Sequence, residues 1–141
     1  MRKGEALRDH GVAGILKHGE KILLLREARA VWGEHQGAWE PPHGRCELAD
    51  GNEATTIIRE FAEETGLAVR VAHKILECAP SGRGKTMSFF LVEPVGEMGE
   101  IVLEEAEASA YGWFTVGEAL ALKLFPATRA FFERAILKES V

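Results

Sequence analysis

The sequence predicts one α+β domain, covering residues 1–141, in which helices pack on a mixed β-sheet. The length of 141 residues falls within the range of a single domain. Short apolar runs rich in β-branched or aromatic residues recur along the chain, and turn residues separate them, as in strands. Helical periodicity is confined to a central segment and to the C-terminal region. Strands, a helix, more strands and final helices together favour an α+β or α/β/α layered arrangement.

The first elements are predicted to be strands. Residues 10–17 and 22–26 are short apolar runs, and the turn at residues 18–20 contains a glycine, which is typical of a hairpin. Residues 27–38 show no clear periodicity and are expected to form a loop. Residues 39–44 (WEPPHG) are not helical, because each proline lacks an N–H donor and disfavours helical geometry in the residue before it.

The helix with the clearest boundaries is predicted over Glu53–Thr65. Asn52 is placed as its N-cap, and Gly66 as the left-handed residue that ends it. At about 100° per residue its side chains form two adjacent faces, of which the apolar one is expected to pack on the core. The apolar face consists of Ala54, Ile57, Ile58, Phe61 and Ala62, and the acidic face of Glu53, Glu60, Glu63 and Glu64.

The rest of the chain predicts three strands and two helices. Residues 68–78 and 86–95 are rich in β-branched and aromatic residues and flank a turn-rich segment. Residues 110–115 form a further candidate strand. Residues 116–122 and 127–138 show helical periodicity. Strands on both sides of the central helix therefore have to meet in one sheet.

Charge and composition exclude several classes of protein. Lys and Arg number 17 against 22 Asp and Glu, which gives a net charge of −5 and a pI near 5.6. This balance argues against a broad surface for nucleic-acid backbones. No apolar run approaches the about 20 residues of a membrane-spanning helix, and the charged first residues show no secretory signal. We therefore expect a cytoplasmic protein with no nucleic-acid or membrane partner.

Three carboxylates lie within one turn of the central helix. Residues three and four apart are neighbours on a helix surface, so Glu60, Glu63 and Glu64 are close together. Like charges at this spacing destabilise a helix by about 0.2–0.5 kcal/mol per pair, and a divalent cation would offset their repulsion. Mg²⁺ prefers oxygen ligands and is commonly shared with substrate phosphates. The alternative is a solvated acidic face in which Arg59 simply pairs with Glu63.

Residues 44–67 resemble the signature of the Nudix hydrolases, written G-x5-E-x7-R-E-U-x-E-E-x-G-U, where U is a bulky apolar residue. Residues 59–67 (REFAEETGL) fit the second half at every specified position, and Gly44 fits the leading glycine. The first half departs from the pattern, because Asp50 replaces the first glutamate and eight residues instead of seven separate it from the arginine. Either Asp50 or Glu53 then takes the place of the first acid.

The resemblance implies an α/β/α sandwich with a mixed central sheet and a catalytic loop–helix–loop. It also implies Mg²⁺, or alternatively Mn²⁺, as cofactor, and hydrolysis of a nucleoside diphosphate linked to another moiety. By the same resemblance, Glu63 and Glu64 would be metal ligands, and Glu60 a further ligand or the general base. Arg59 would orient the Glu60 carboxylate. Bound metal and a carboxylate base are what water attack on a pyrophosphate requires.

A further catalytic glutamate in this family often comes from a loop before a late strand. The candidates in this chain are Glu104, Glu105 and Glu107. We favour Glu107, which lies six residues before Trp113 in the segment EASAYGWF. The alternative is a solvated acidic loop with no direct role.

Three shorter segments resemble the asymmetrical diadenosine tetraphosphate hydrolases, a branch of this family. WEPPHG is similar to their WxPPKG, KTMSFF at 85–90 to KTxxYW, and AYGWF at 110–114 to AYRWL. The resemblance implies a dinucleoside polyphosphate as substrate, with diadenosine tetraphosphate cut to ATP and AMP by water attack on the phosphate chain. The implied substrate-binding residues are His43, Arg45, Lys85 and Phe89.

Departures from that branch leave the substrate open. His43 stands where the branch has lysine, Arg45 where it has histidine, and Phe89 where it has tyrosine. His43 or Arg45 would then have to replace the phosphate donor that the lysine provides. The alternative substrates are a nucleoside triphosphate and ADP-ribose, and the alternative function is a nucleotide-binding module without activity. The sequence does not indicate an oligomeric state.

Overall fold

A computed structural model describes residues 6–78 and 86–139 of the chain. The strands are β1 (Ala6–His18), β2 (Lys21–Glu27), β3 (Trp39–Glu40), β4 (His43–Glu47), β5 (Val69–Cys78), β6 (Thr86–Pro94) and β7 (Ala108–Phe114). The α-helices are α1 (Glu53–Thr65), α2 (Val116–Leu120) and α3 (Pro126–Glu139). Short 3₁₀ segments cover Ala30–His35 and Leu48–Asp50.

The strands form one mixed sheet, as predicted. In the described part of the chain their order is β3-β2-β1-β6-β5, while β4 pairs with β1 and β7 pairs with β2. β1 and β6 run parallel, and the other paired strands are antiparallel. β1 is long enough to change partners along its length, because it meets β4 near Ala13 and β2 near His18. This long strand connects the two halves of the sheet.

Helices cover both faces of the sheet and produce the predicted α/β/α layers. Successive side chains of a strand point to opposite faces. Both faces of β1 and β2 are buried, which explains why these strands read as continuous apolar runs. The α1 face buries Val12, Leu16, Leu23 and Leu25, and the face toward α2 and α3 buries Ala13, Ile15, Ile22 and Leu24.

The elements before α1 follow the sequence prediction in most respects. The first hairpin is confirmed, and Gly19 lies in its turn with a φ of 64°. The predicted loop at 27–38 contains a 3₁₀ segment, Ala30–His35, which is kinked at Gly33. The proline-containing segment is extended on both sides of the prolines, as β3 and β4. These short elements bring the WEPPHG segment against α1.

α1 spans the predicted residues and carries both predicted caps. The Asn52 side chain accepts a hydrogen bond from the Thr55 N–H, which satisfies one of the free donors of the first turn. Gly66 adopts the left-handed conformation, with a φ of 74°, and its N–H donates to the carbonyl of Ala62. Capping at both ends fixes where the carboxylates of the helix are placed relative to the sheet.

The buried face of α1 is rotated from the one that its apolar residues predicted. Phe61 is buried as expected, but Ile58 is 39% exposed and Ala62 is also exposed. Gly14 of β1 permits this rotation, because a Cβ there would lie 2.2 Å from the Phe61 ring, so only glycine lets the ring lie against the sheet. The rotation also buries Glu64, which is 7% exposed. One carboxylate of the acidic face therefore points into the protein.

α2 and α3 close the opposite face of the sheet. A capping box between Thr115 and Glu118 begins α2. Phe131 of α3 stacks on Phe89 of β6, with 4.3 Å between the ring centroids. None of the helices in the described ranges is both long and apolar enough to cross a membrane.

Candidate active site

Arg59 organises the carboxylates of α1. Its Nε and Nη2 donate to the two oxygens of Asp50, both at 2.9 Å. Its Nη1 donates to Glu60 Oε1 at 3.0 Å and to Glu63 Oε2 at 3.2 Å. The Asp50 hydrogen bonds are the main cause that raises the pKa of Arg59, and the same bonds lower the pKa of Asp50. Arg59 therefore stays charged and holds two of the three helix carboxylates in place.

The structure distinguishes the two candidates for the first acid of the signature. Asp50 makes the two-pronged contact with Arg59 and accepts a further hydrogen bond from Thr56 Oγ1 at 2.8 Å. Glu53 is turned away, because its Oε2 lies 2.6 Å from His10 Nε2 and its Oε1 lies 3.0 Å from Lys74 Nζ. Asp50 is thus the acid that lies beside the signature arginine, despite the extra residue between them.

The contacts of Glu53 predict a loss of stability in acid. Burial opposes its ionisation, but hydrogen bonds from three neighbours outweigh burial and lower the pKa of Glu53 to about 2. These neighbours are Ser88, His10 and Lys74. Since the folded pKa lies below the ordinary value of 4.5, the contribution of Glu53 is complete above that value and is lost as the pH falls toward about 2.

We expect urea denaturation of the wild type to show a free energy of unfolding that falls steeply below about pH 4.5. Glu53→Gln should lose stability less steeply over the same range, because it has no carboxylate to protonate. Parallel pH profiles for the two proteins would contradict this assignment.

A small pocket beside α1 collects further acids. Glu27, Glu40 and Glu64 lie within it and are between 4% and 7% exposed. Buried carboxylates at short range repel one another, and each needs a cation, a proton or hydrogen bonds. The polar and charged residues that line the pocket are Arg26, Glu27, Arg29, Glu40, His43, Glu64 and Glu107.

Burial raises the pKa values of three acids in or beside this pocket, Glu40, Glu60 and Glu64. At Glu40 burial is the main cause, followed by the charge of Glu27. At Glu64 burial is again the main cause, followed by the charge of Glu60, and the pKa is well above its usual value. Burial also raises the pKa of Glu60, although its hydrogen bonds to Glu64 and Arg59 oppose that rise. The pocket therefore stabilises any positive charge that enters it.

His43 is a neutral member of this pocket. Burial lowers its pKa to about 4, and the nearby charge of Arg29 acts in the same direction. Its backbone N–H donates to Glu64 Oε2 at 3.3 Å, and its Nε2 lies 3.4 Å from Glu40 Oε1. At neutral pH the imidazole can donate one hydrogen bond but carries no positive charge.

Gly44 gives the Glu60 side chain its place against β4. A Cβ at this position would lie 2.2 Å from Glu60 Cδ and 2.4 Å from its Cγ and Oε1. The leading glycine of the signature is thus required by a close approach between strand backbone and carboxylate. Any other residue would push Glu60 away from Arg59 and Glu64.

The structure brings some of the predicted site residues together. Glu64 and His43 line the pocket, and Glu60 lies beside Glu64. Glu107 lies at the rim, with a 41% exposed side chain whose Oε1 is 3.6 Å from Arg29 Nη1. Glu63 is 56% exposed and does not line the pocket. Of the three helix carboxylates, Glu64 therefore lies in the pocket wall, Glu60 lies beside it, and Glu63 lies on the adjacent surface.

The other predicted substrate-binding residues lie elsewhere. Arg45 is exposed on β4. Lys85 falls outside the described residues. Phe89 does not reach the site, because its ring is completely buried on the opposite face of the sheet, where it stacks on Phe131. Its position within a strand puts it in the core, and no surface of the ring is left for a nucleotide base.

Sequence reasoning missed Glu27, Arg29 and Glu40. The alternation along β2 places Glu27 on the same face as Leu23 and Leu25, so this acid was detectable from the two-residue period. Glu40 lies directly opposite Leu25 in the ladder between β2 and β3. That register cannot be read from the sequence. The position of Arg29 depends on its hydrogen bonds to Glu27, so it could be predicted only once Glu27 was recognised.

The donor set of the pocket suits a hard divalent cation. Within residues 6–78 and 86–139, no three His, Cys, Asp or Glu side chains are already arranged around one ion position. Glu60 and Glu64 nevertheless lie close enough for each to shift the pKa of the other, and Glu40 and Glu107 add further negative charge beside Glu64. Carboxylate oxygens are the ligands that Mg²⁺ prefers, and a cation offsets their repulsion. The residues present therefore fit such an ion.

Comparison with known proteins relates the chain to one family. The family model described as the NUDIX domain matches residues 8–135. None of the curated proteins matches the chain. Among solved structures, the Escherichia coli ORF135 protein is 26% identical, with 91% of this chain and 88% of that chain covered and a TM-score of 0.71.

Two further structures extend the comparison. A MutT NUDIX hydrolase from Burkholderia pseudomallei is 25% identical, with 89% of this chain and 95% of that chain covered and a TM-score of 0.66. An Ap4A hydrolase from Caenorhabditis elegans is 16% identical, with 93% and 97% covered and a TM-score of 0.68. At this identity the last similarity concerns the fold alone.

Proposed function

Since this chain belongs to the Nudix family, we propose that it is a metal-dependent hydrolase of a phosphoanhydride bond in a nucleoside diphosphate derivative. One observation carries the proposal. α1 places the carboxylate of Glu60 beside that of Glu64 at the wall of a buried acidic pocket, and Arg59 donates a hydrogen bond to Glu60. Such an arrangement is costly for stability alone, because buried like charges repel one another. The same arrangement of carboxylates is expected in a site that binds a divalent cation and acts on a polyanionic substrate.

Glu60, Glu63 and Glu64 would hold Mg²⁺, or Mn²⁺ in its place. When bound, the cation supplies charge neutralisation at the phosphate oxygens and makes water a stronger nucleophile. The chain itself keeps the ligands in place, since Arg59 donates hydrogen bonds to Glu60 and Glu63. Asp50 in turn anchors Arg59.

A carboxylate of the site accepts the proton of the attacking water. Glu60 is one proposed acceptor, and its alternative role is that of a further ligand. Glu107 is the other, because its half-exposed side chain at the pocket rim is open to water. A positioned base of this kind typically contributes about 10²–10⁴-fold to the rate.

The substrate that we favour is a dinucleoside polyphosphate, cut as diadenosine tetraphosphate to ATP and AMP. The segment WEPPHG, which resembles that branch, places Glu40 and His43 in the pocket wall next to Glu64. His43 would donate a hydrogen bond to a phosphate as a neutral imidazole. Arg45, exposed on the adjacent strand, would add a positive charge. On the sequence resemblance alone, we propose Lys85 as a further phosphate contact.

A nucleoside triphosphate or ADP-ribose is the second candidate. The observation in its favour is the low pKa of His43, about 4, at the position where the dinucleotide branch has lysine. A neutral side chain there removes one positive charge from the wall. This change favours ADP-ribose, because its diphosphate carries fewer negative charges than the tetraphosphate chain of the dinucleotide.

One set of incubations tests the proposal. The protein is incubated with and without Mg²⁺ on diadenosine tetraphosphate, the common nucleoside triphosphates and ADP-ribose, and the products are separated by ion-exchange chromatography. We expect ATP and AMP from the dinucleotide, and no product without Mg²⁺. A preference for a triphosphate or ADP-ribose would contradict the proposed substrate but would still support the proposed hydrolase activity. Calorimetric binding of a nucleotide without turnover under any divalent cation would overturn the proposal in favour of a binding module.

A further inference from the structure

We propose that Arg29 is a positioning residue that holds the Glu107 carboxylate at the pocket, and that the buried carboxylate of Glu27 fixes Arg29 for this task. The inference rests on the proposed function, because it concerns the reaction at the same pocket. It adds two residues that lie outside the signature segment and whose chemistry the sequence did not indicate.

Glu27 fixes Arg29 through three hydrogen bonds. Arg29 Nε donates to Glu27 Oε1 at 2.6 Å, and Nη2 donates to Oε2 at 3.0 Å. The backbone N–H of Arg29 donates to Oε1 as well, at 2.9 Å. The Glu27 side chain is only 3% exposed. A two-pronged bond to a buried carboxylate fixes the plane of the guanidinium, which a single surface contact would not do.

The end of β2 is shaped to present this pair to the pocket. The ladder between β2 and β7 shifts its register between Arg26 and Glu27. Irregular pairing of this kind redirects side chains at the end of a strand. Glu27 keeps the face of β2 that Leu23 and Leu25 share, and Arg29 turns back over it beyond the irregularity, so that both line the pocket with Glu64 and Glu107.

The fixed guanidinium faces Glu107. Arg29 Nη1 lies 3.6 Å from Glu107 Oε1. The backbone of Glu107 is held separately, because its carbonyl accepts from the Ala28 N–H and its N–H donates to the Glu104 carbonyl, both at 2.9 Å. A glutamate with a fixed backbone and a half-exposed side chain still has three rotatable bonds. The charge of Arg29, 3.6 Å away, favours the direction of that side chain toward the guanidinium and the pocket.

An arginine in this pocket has a second conceivable role, which is direct contact with a substrate phosphate. The geometry favours the positioning role, since Nε and Nη2 are engaged by Glu27 and Nη1 faces Glu107. The two roles differ in what they change. A positioning residue acts on kcat through Glu107, whereas a phosphate contact acts on KM and is independent of Glu107.

The test is a double-mutant cycle of Arg29→Gln and Glu107→Gln, assayed at saturating Mg²⁺ on the substrate that the incubations identify. We expect Arg29→Gln to lower kcat about 10–100-fold, the usual effect of losing a residue that orients a catalytic group, with little change in KM. In the Glu107→Gln background the same substitution should have no further effect. Arg29→Lys should restore little, because an ammonium lacks the planar fork that binds Glu27.

Arg70→Gln is the matched control. Arg70 pairs with Glu93 at 2.9 Å on the exposed surface between β5 and β6, so its loss should leave kcat and KM unchanged. If Arg29→Gln fails to fold because Glu27 is left buried without its partner, Glu27→Gln/Arg29→Gln removes both charges and should show the same loss of kcat.

Two results would overturn the inference. Multiplicative losses from Arg29→Gln and Glu107→Gln would show that the residues act independently, and a rise in KM at unchanged kcat would assign Arg29 to the substrate. The wild type, the two single variants and the double variant also give a second cycle, in which the midpoint of urea denaturation is measured. Additive shifts of the midpoint would exclude the contact between Arg29 and Glu107. This second cycle needs no turnover. A wild type without hydrolytic activity would therefore contradict the proposed function while the cycle of midpoints still decides the contact.

Discussion

Glu64→Gln is expected to remove hydrolytic activity and to make the protein more stable. The side chain is 7% exposed and lies among the negative charges of Glu60, Glu40 and Glu107, and burial is the main cause of its raised pKa. Glutamine has the same shape and keeps an oxygen that accepts from the His43 N–H. It removes a buried like charge and a proposed metal ligand in one step.

The sign of the stability change follows from linkage. A carboxyl whose folded pKa is raised above its unfolded value favours the folded state at low pH, and this contribution is lost as the pH rises through the folded pKa. The melting temperature of the metal-free wild type should therefore fall relative to that of Glu64→Gln as the pH increases. Turnover should fall by more than about 100-fold, since even the residues that merely support a metal ligand are worth about 10–100-fold.

The two measurements are kcat at saturating Mg²⁺ and thermal denaturation without metal across neutral pH. Glu93→Gln is a suitable control, because it neutralises an exposed carboxylate that pairs with Arg70 far from the pocket. It should change neither quantity appreciably. Wild-type turnover in Glu64→Gln, or a lower melting temperature than the wild type, would refute the assignment.

Gly44→Ala should reduce turnover by about 100-fold, the effect expected when a catalytic group is displaced by about 1 Å. The added methyl group would lie 2.2 Å from Glu60 Cδ, so the carboxylate has to leave its place between Arg59 and Glu64. The stability should change little, because the obstructing atoms belong to a flexible side chain that can swing toward solvent.

Steady-state kinetics and urea denaturation check this prediction. Gly99→Ala is the matched control, since a Cβ there meets no atom within 4 Å. The double variant Gly44→Ala/Glu60→Gln should be no less active than Glu60→Gln alone, because glycine acts through that carboxylate. If the two substitutions instead multiply their effects, Gly44 has another role.

The parts of the fold that the sequence predicted best are those governed by local chemistry. Asn52 and Gly66 mark the ends of α1 because capping depends on residues within one turn. The runs at 10–17 and 22–26 predicted strands, and the structure shows that these runs are continuously apolar because both faces of β1 and β2 are covered. These features need no knowledge of distant contacts.

The orientation of α1 was predicted less well, for a physical reason. Its apolar residues indicated a face that included Ile58, yet Ile58 is largely exposed and Glu64 is buried instead. The helix settles where Gly14 lets the Phe61 ring lie against β1. A hydrophobic pattern on one helix does not contain the shape of the strand that it meets.

In the candidate site, too, features set by local sequence were predicted and features set by distant contacts were not. The spacing of Glu60, Glu63 and Glu64 on one helix was evident from the sequence, and so was the resemblance of their segment to the family signature. The partners that α1 meets across the sheet were not evident, because Glu40 and Arg29 reach the pocket through strand register and an irregular strand end. Phe89 illustrates the opposite error, since a motif position suggested a binding residue where the strand buries a core aromatic.

Binding of a divalent cation by the α1 carboxylates is tested most directly by calorimetric titration of Mn²⁺ into the metal-free protein. The wild type and Glu93→Gln are expected to bind the ion with equal affinity, and Glu64→Gln to bind it at least about tenfold more weakly. Equal affinity in all three proteins would contradict a cation site at the buried Glu64 and its partly buried neighbour Glu60.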